Sequence, residues 1–300
     1  MAKAERARAL SKSKFFIDDL SIKQIIKLIV SRTLRLIIVT LRSNKPRYVV
    51  LTPSILCKQI IYDREQKKYL SIIVRDFIDI GTLGQIYVAD DYGTSKLKRH
   101  NDIELFYKKS TESGKKPLII DCGGNIGLAS KYFSDNYREA KIICIEPDAA
   151  NLEQAKKNNL FTEIDFLKAA IGSENGTGQI VDPGLGNNAY RISNTKSGET
   201  QILSINELLK IYPDNNYIPF IIKIDIEGFE DDLFSKNIEW IDSFPLLIIE
   251  LHDWMLPNSS NSKNFLKAIS QLDRDFVYIG ENVFSISNTI LKPTLRPLST

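Results

Sequence analysis

Cysteine, histidine, methionine and tryptophan are all scarce in this chain, and the first two shortages close off whole classes of chemistry. Cys57, Cys122 and Cys144 are odd in number and show no Cys-x-x-Cys spacing, which excludes a disulfide framework and a zinc ribbon and fits a reducing compartment. With His100 and His252 alone, no histidine-rich metal centre can be assembled. Neither charge sign dominates: 40 basic and 37 acidic residues leave a net charge of +3, so no overall field recommends nucleic acid as a partner. Clean apolar runs of the roughly 20 residues that a membrane-spanning helix needs are missing as well. Residues 22–41 are rich in Ile, Leu and Val but are cut by Lys23, Lys27, Arg32 and Arg35. Internal repeats and low-complexity tracts are absent. What remains is a 300-residue chain with 43% apolar and 26% charged residues, enough to bury one large core or two modest ones.

The basic stretch "MAKAERARALSKSK" is followed by no uninterrupted apolar segment, so no secretory signal is read and a cytoplasmic protein is expected. Laid out at about 100° per residue, Ile22, Ile25, Ile26, Ile29, Leu36 and Ile37 share an arc of about 120°, opposite the four basic residues. Such a basic amphipathic helix packs on the protein's own core or a dimer partner, or else rests on the anionic inner face of a membrane. The pattern alone does not choose.

Three regions are expected: the basic segment 1–45, an irregular α+β subdomain at 46–115 and an α/β domain at 116–300. In the second, "YVVL", "KQIIY", "YLSIIVRDF" and "GQIYV" read as short strands, residues 95–109 as a polar helix and "STESGKKP" as a turn-rich joint. From Pro117 the fully apolar runs "PLIID", "KIICIE", "PFIIKID" and "PLLIIEL" read as buried parallel strands, each followed by a potential helix. Asp148 opens one helix, and Ser204 with Glu207 forms a capping box ahead of another. "DFVYI" and "NVFSIS", flanking Gly280, Glu281 and Asn282, read as a terminal antiparallel hairpin. The sum is a doubly wound, mostly parallel, Rossmann-like α/β fold closed by that hairpin.

Within "LIIDCGGNIGLAS" the glycine turn falls where open α/β sheets bind ligands, beyond the carboxyl end of a strand and ahead of a helix. In the dinucleotide-binding frame G-x-G-x-x-G, Asp121 stands where the first glycine belongs. A carboxylate there opposes phosphate and favours a cationic ligand such as the amino group and sulfonium of S-adenosylmethionine. Glu146 ends the next apolar run, 19 residues after Gly127, at the place from which an acid accepts hydrogen bonds from ribose hydroxyls. The plainer reading is a tight strand-to-helix turn beside a helix cap. It is weaker once both features occur in order and at this spacing.

"IIDCGGNIGLAS", "CIEPDAANLEQAKKN", "IIKIDIEGFEDDLF" and "LLIIELHDWM" resemble the successive signature blocks of the FkbM-type methyltransferases, over roughly residues 70 to 290. The resemblance implies a class I S-adenosylmethionine-dependent methyltransferase, usually an O-methyltransferase for hydroxyls of sugars, glycans, glycolipids or secondary metabolites. It implies cofactor roles for Asp121, Gly123, Asn125, Gly127 and Glu146. One departure stands out: "DFLKAAIGS" places Ala169 and Ala170 where many methyltransferases carry an acid for the adenine amino group, and Asp165 falls earlier.

On the acceptor side, the ends of "FIIKIDIEGFEDDLF" and "PLLIIELHDWM" bring Lys223, Asp225, Glu227, Glu250 and His252 toward one cleft. His252 or Asp225 is expected as the general base, with Glu227 and Glu250 orienting hydroxyls or the cofactor's amino group. The alternatives are plain: Lys223 in a structural ion pair, Glu227 and Glu230 as acids at a helix amino terminus, His252 as a hydrogen-bonded histidine that moves no proton. Asp225 and Glu250 could share a divalent cation, although the sequence demands none. Trp254, Tyr92 and Tyr190 are candidate platforms for a sugar face. Two other classes stay open, a nicotinamide oxidoreductase, which needs the missing first glycine, and a non-enzymatic adenosylmethionine- or glycan-binding module. Acceptor, metal dependence and oligomeric state are not legible.

Overall fold

The computed structural model describes residues 46–160, 162–181, 191–194 and 198–291, together with Lys23, Ile26 and Val30. The amphipathic helix expected over 22–41 lies outside these residues apart from those three positions, and Tyr190 lies outside them entirely. Among the described residues no helix is long and apolar enough to cross a membrane. The described residues up to Asp90 and those from Asp91 onward form two separate compact units.

In the first unit, β1 (Tyr48–Val50), β2 (Lys58–Asp63) and β3 (Lys68–Ile73) form an antiparallel sheet in that order. Leu70 and Ile72 alternate inward along β3 against exposed neighbours, the period of a strand with one wet face. A helix, α1 (Phe77–Leu83), follows in the stretch between two expected strands. Asp76 starts it by accepting from the backbone N–H groups of Ile78 and Asp79. "GQIYV", also expected as a strand, continues it as a π-helical turn over Gly84–Val88. Ile86 and Tyr87 are buried and Val88 is exposed, with Tyr87 meeting Tyr48 edge-on at 5.1 Å.

The second unit begins with α2 (His100–Glu112) and is organised around a seven-stranded sheet. The expected apolar runs supply β4 (Lys116–Cys122) and β5 (Lys141–Ile145). Between them lies α3 (Leu128–Asn136), and after them come α4 (Ala149–Asn158) and β6 (Ile164–Leu167). Asp148 caps α4 by accepting from the Asn151 N–H at 2.8 Å.

The stretch from Ala170 to Ser204 departs from the expected strand-and-helix alternation. Its β7 (Ala170–Gly172), β8 (Gly176–Val181), β9 (Arg191–Asn194) and β10 (Thr200–Ser204) form a second sheet in the order β7-β10-β8-β9. α5 (Ile205–Ile211) leads back to the main sheet. Its capping box is half made: Ser204 Oγ accepts from the Glu207 N–H at 3.2 Å, while the Ser204 N–H goes to Asn175 Oδ1.

The remaining elements are β11 (Tyr217–Ile224), the single turn α6 (Glu230–Leu233), β12 (Leu246–Glu250), α7 (Lys263–Ile269), β13 (Arg274–Ile279) and β14 (Asn282–Ser287). The main sheet runs β13-β14-β12-β11-β4-β5-β6, with β12, β11, β4, β5 and β6 parallel. β14 is antiparallel to both of its neighbours. Numbered by entry into the sheet this is 3-2-1-4-5-7-6, whereas dinucleotide-binding sheets run 3-2-1-4-5-6. It is the α/β Rossmann-like fold of class I methyltransferases, with the expected hairpin turning at Gly280 and Glu281.

Aromatic side chains cover both faces. Phe220 of β11 meets Phe106 and Tyr107 of α2 and Tyr137 after α3 at 5.0–5.9 Å between ring centroids. On the other face Phe234, Trp240, Phe244 and Phe265 pack with Ile205, Leu208 and Ile269 against β11 and β12. Every β4 side chain from Leu118 to Cys122 is 0% exposed, so the turn beyond it is anchored on a strand buried on both faces.

Candidate active site

The glycine turn and the acidic cleft emerge from the carboxyl ends of neighbouring strands. Gly123 follows β4 with φ at +79°, and a methyl group on it would overlap the carbonyl oxygen of Asp225, which follows β11. Glycine is required there for both conformation and close approach. Gly127, at φ +75°, turns the chain into α3, whose first carbonyl neighbours are tied by Asn158 and Asn159 side chains to Ile126 O and Gly127 O.

Glu146 stands immediately beyond β5, and its carboxylate reaches back to the turn. Oε2 accepts from the Asn125 N–H at 2.8 Å, and Oε1 accepts from the Asp148 N–H at 3.0 Å and Asn151 Nδ2 at 3.2 Å. Each carboxylate oxygen offers two acceptor positions. Oε1 has filled both, and Oε2 keeps one. Burial, only partly offset by these donors, pushes the Glu146 carboxyl up to about 7. Asn125 Oδ1 is buried without a hydrogen-bond partner among the described residues. An open acceptor on Glu146 and an unpartnered one on Asn125 fit a ligand that brings hydroxyl or amino donors, as the ribose and amino groups of S-adenosylmethionine do.

Asp121, expected to face the ligand, is fully buried. Ser130 Oγ donates to Oδ2 at 2.6 Å, and Lys223 Nζ lies 3.2 Å from Oδ1. The cause is register: Lys223 is the direct partner of Asp121 across the β11–β4 ladder, so the two side chains leave adjacent strands on the same face. Lys223 also donates to Gly123 O at 2.8 Å and lies 3.4 Å from Asp225 Oδ2. Burial works against its charge, but Asp121 and Asp225 prevail and hold the ammonium well above its ordinary range. It serves as a buried cation that pins the turn, which is the ion-pair alternative to a catalytic lysine.

The acids on the next strand ends converge on His252, whose side chain is 1% exposed. Nε2 lies 3.5 Å from Asp225 Oδ1, 3.7 Å from Glu227 Oε2 and 3.8 Å from Glu250 Oε1. All three exceed the usual N–H···O range. Nδ1 is bonded at 2.8 Å to Glu230 Oε1. Glu230 is itself fully buried and accepts from Asn261 Nδ2 at 2.6 Å and the Ile226 N–H at 3.3 Å. Burial pulls the imidazole down, yet Glu230, Glu227 and Asp225 together raise it to about 10. These acids favour the imidazolium form, which weighs against His252 as the general base and toward Asp225, the other candidate. Glu227, at φ +55°, has its carboxyl raised by burial and by Asp225, against the opposing charge of His252.

Tyr92 belongs to this group through its hydroxyl. Its buried hydroxyl is raised by burial and is felt by Lys223, Asp225, Asp121 and Glu250. Its ring packs on Tyr132 and Phe133, so it offers no sugar platform. Trp254 is 47% exposed, with its ring centroid 6.5 Å from that of His252. Asp165, beside the third strand position, is occupied by Lys141 and Tyr212. A cleft lined by Thr111, Lys116, Arg138 and Glu163 lies at the opposite, amino-terminal end of β4 and β5, away from this chemistry.

No family model and no curated protein matches the chain. Among solved structures it is similar to a methyltransferase from Geobacter sulfurreducens, with 16% identity over 62% of this chain and 77% of that one and a TM-score of 0.30. It is similar to the bifunctional kinase-methyltransferase WbdD, with 11% identity over 64% of this chain and 39% of that one and a TM-score of 0.35. It is also similar to the plantazolicin methyltransferase BpumL, with 10% identity over 63% of this chain and 70% of that one and a TM-score of 0.27. The chain thus spans well under half the length of WbdD.

Proposed function

We propose that this chain is an S-adenosylmethionine-dependent O-methyltransferase of the FkbM type, acting on a hydroxyl of a sugar, glycan, glycolipid or secondary metabolite. The observation that carries the reading is Glu146, which reaches from the second strand end to the glycine turn and keeps an acceptor open beside unpartnered Asn125 Oδ1. When bound, S-adenosylmethionine supplies an electrophilic methyl group on a positively charged sulfur.

The chain's own residues divide the remaining work. Glu146 accepts from a ribose hydroxyl and Asn125 Oδ1 from a second donor, while Gly123 and Gly127 keep the turn low enough for close approach. Asp121 acts indirectly, by fixing Lys223 under the Gly123 carbonyl. Asp225 and Glu250, with side chains 27% and 17% exposed, give the cleft a negative wall that favours a sulfonium. Because Lys223 and His252 are both cationic, the acceptor proton passes to one of these carboxylates. Holding the acceptor oxygen at near-attack geometry supplies about 7 to 11 kcal/mol. A general base adds roughly 3 to 5 kcal/mol, so positioning is the larger effect. Trp254 at the rim supports an acceptor with a sugar face.

The test is transfer of a labelled methyl group from S-adenosylmethionine to glycan, glycolipid and small-metabolite fractions. Base-stable label in a hydroxyl-bearing product is expected. Cofactor binding with no transfer to any fraction would favour the binding module, and hydride exchange with a nicotinamide would favour the oxidoreductase.

A further inference from the structure

We infer that Asp225, Glu227 and His252 form a site for one divalent transition-metal cation, with Glu250 at its edge. His252 Nε2 and one oxygen from each of the two acids lie within 4.8 Å of one another. Ligand atoms about 2.0 to 2.2 Å from a common ion stand roughly 3 to 4 Å apart, which matches the 3.5 and 3.7 Å separations from Nε2. The second observation is the imidazole itself. It is almost wholly buried and its Nε2 is aimed among three carboxylates without closing to hydrogen-bond distance on any of them.

Behind it stands the support that metal-binding histidines carry. Glu230 holds Nδ1 at 2.8 Å and is locked in turn by Asn261 and the Ile226 N–H. This carboxylate–imidazole pair fixes the ring orientation and presents Nε2 to the cleft. Five carboxyl groups, those of Asp121, Asp225, Glu227, Glu230 and Glu250, surround two cationic side chains, Lys223 and His252. A dication placed here brings positive charge to a spot where carboxyl groups outnumber basic side chains. One imidazole with carboxylates suits Mn²⁺, Fe²⁺, Co²⁺ or Zn²⁺ better than the all-oxygen sets preferred by Mg²⁺ and Ca²⁺.

The role of the ion rests on the methyltransferase reading. Bound to the acceptor hydroxyl it would lower that group's pKa and orient it, leaving Glu250 to take the proton. The site itself does not depend on that reading, so the two can fail separately.

The test uses the chelator-treated full chain titrated with manganese chloride, read by the loss of the free Mn²⁺ paramagnetic resonance signal and by calorimetry. One Mn²⁺ per chain is expected, with affinity weakened at least tenfold by Asp225→Asn and by His252→Gln and unchanged by Glu112→Gln at the exposed end of α2. Circular dichroism checks that each variant is folded, and the partly exposed Glu227→Gln serves if His252→Gln is not. Absence of stoichiometric Mn²⁺ and Zn²⁺ binding, or affinity that all three site variants leave intact, overturns the inference. S-adenosylhomocysteine binding in the presence of chelator is measured alongside. Nucleoside binding without metal binding removes the metal site alone, and metal binding without nucleoside binding removes the methyltransferase reading alone.

Discussion

Glu146→Gln, read across pH, probes the proposed cofactor pocket most sharply. The wild-type carboxyl titrates near 7 because burial outweighs its three donors. If a ribose hydroxyl needs the ionised form, the share of binding-competent protein falls about tenfold for each pH unit below 7. S-adenosylhomocysteine should then bind about 10-fold more weakly at pH 6 than at pH 8, and about 30-fold more weakly at pH 5.5. The variant should bind weakly throughout with this slope removed. Linkage gives the same group a stability signature. Its folded pKa lies above the unfolded value of 4.5, so stability is gained as pH falls from about 7 toward 4.5 and is lost again as pH rises. The full swing is about 3 kcal/mol, at roughly 1.4 kcal/mol per unit. Calorimetry between pH 5.5 and 8 and urea unfolding of wild type and variant measure both. Equal slopes in the two proteins would refute the assignment of Glu146 to the ribose.

Three further outcomes follow from the geometry. Lys223→Met strands the buried Asp121 carboxylate and should cost about 3 to 5 kcal/mol in urea unfolding, with much of the loss recovered in Lys223→Met/Asp121→Asn. Additive losses would show that the pair is not coupled. Gly123→Ala forces a methyl into Asp225 O at positive φ, and should lower stability by more than about 2 kcal/mol and abolish cofactor binding; unchanged thermal unfolding would contradict the close approach. Asp225→Ala should retain S-adenosylhomocysteine binding while methyl transfer falls at least 100-fold, and undiminished turnover would remove Asp225 from the chemistry.

The main sheet was legible because strands buried on both faces must be written as unbroken apolar runs. "PLIID", "KIICIE", "PFIIKID" and "PLLIIEL" became β4, β5, β11 and β12, and their ends carry every acid of the cleft. The sheet spanning β7 to β10 was not legible, since strands of three to six residues separated by Gly, Ser and Asn carry too little periodicity to stand out. "GQIYV" misled for the opposite reason: its β-favouring residues are overruled by the cap at Asp76 and by burial against Tyr48. The Asp121–Lys223 pair depends on the register of strands about 100 residues apart, and only the apolar neighbours of a mid-strand lysine hinted at it. Glu230 looked like an acid at a helix amino terminus. Its true partner is His252, 22 residues away, brought in by the turn after β12.

What binds beside Glu146 decides between a methyl donor and a dinucleotide. Calorimetric titration of the full chain with S-adenosylhomocysteine and, separately, with NAD measures it. One-to-one binding of the first and none of the second is the predicted result; saturable uptake of NAD with no heat from S-adenosylhomocysteine would contradict it.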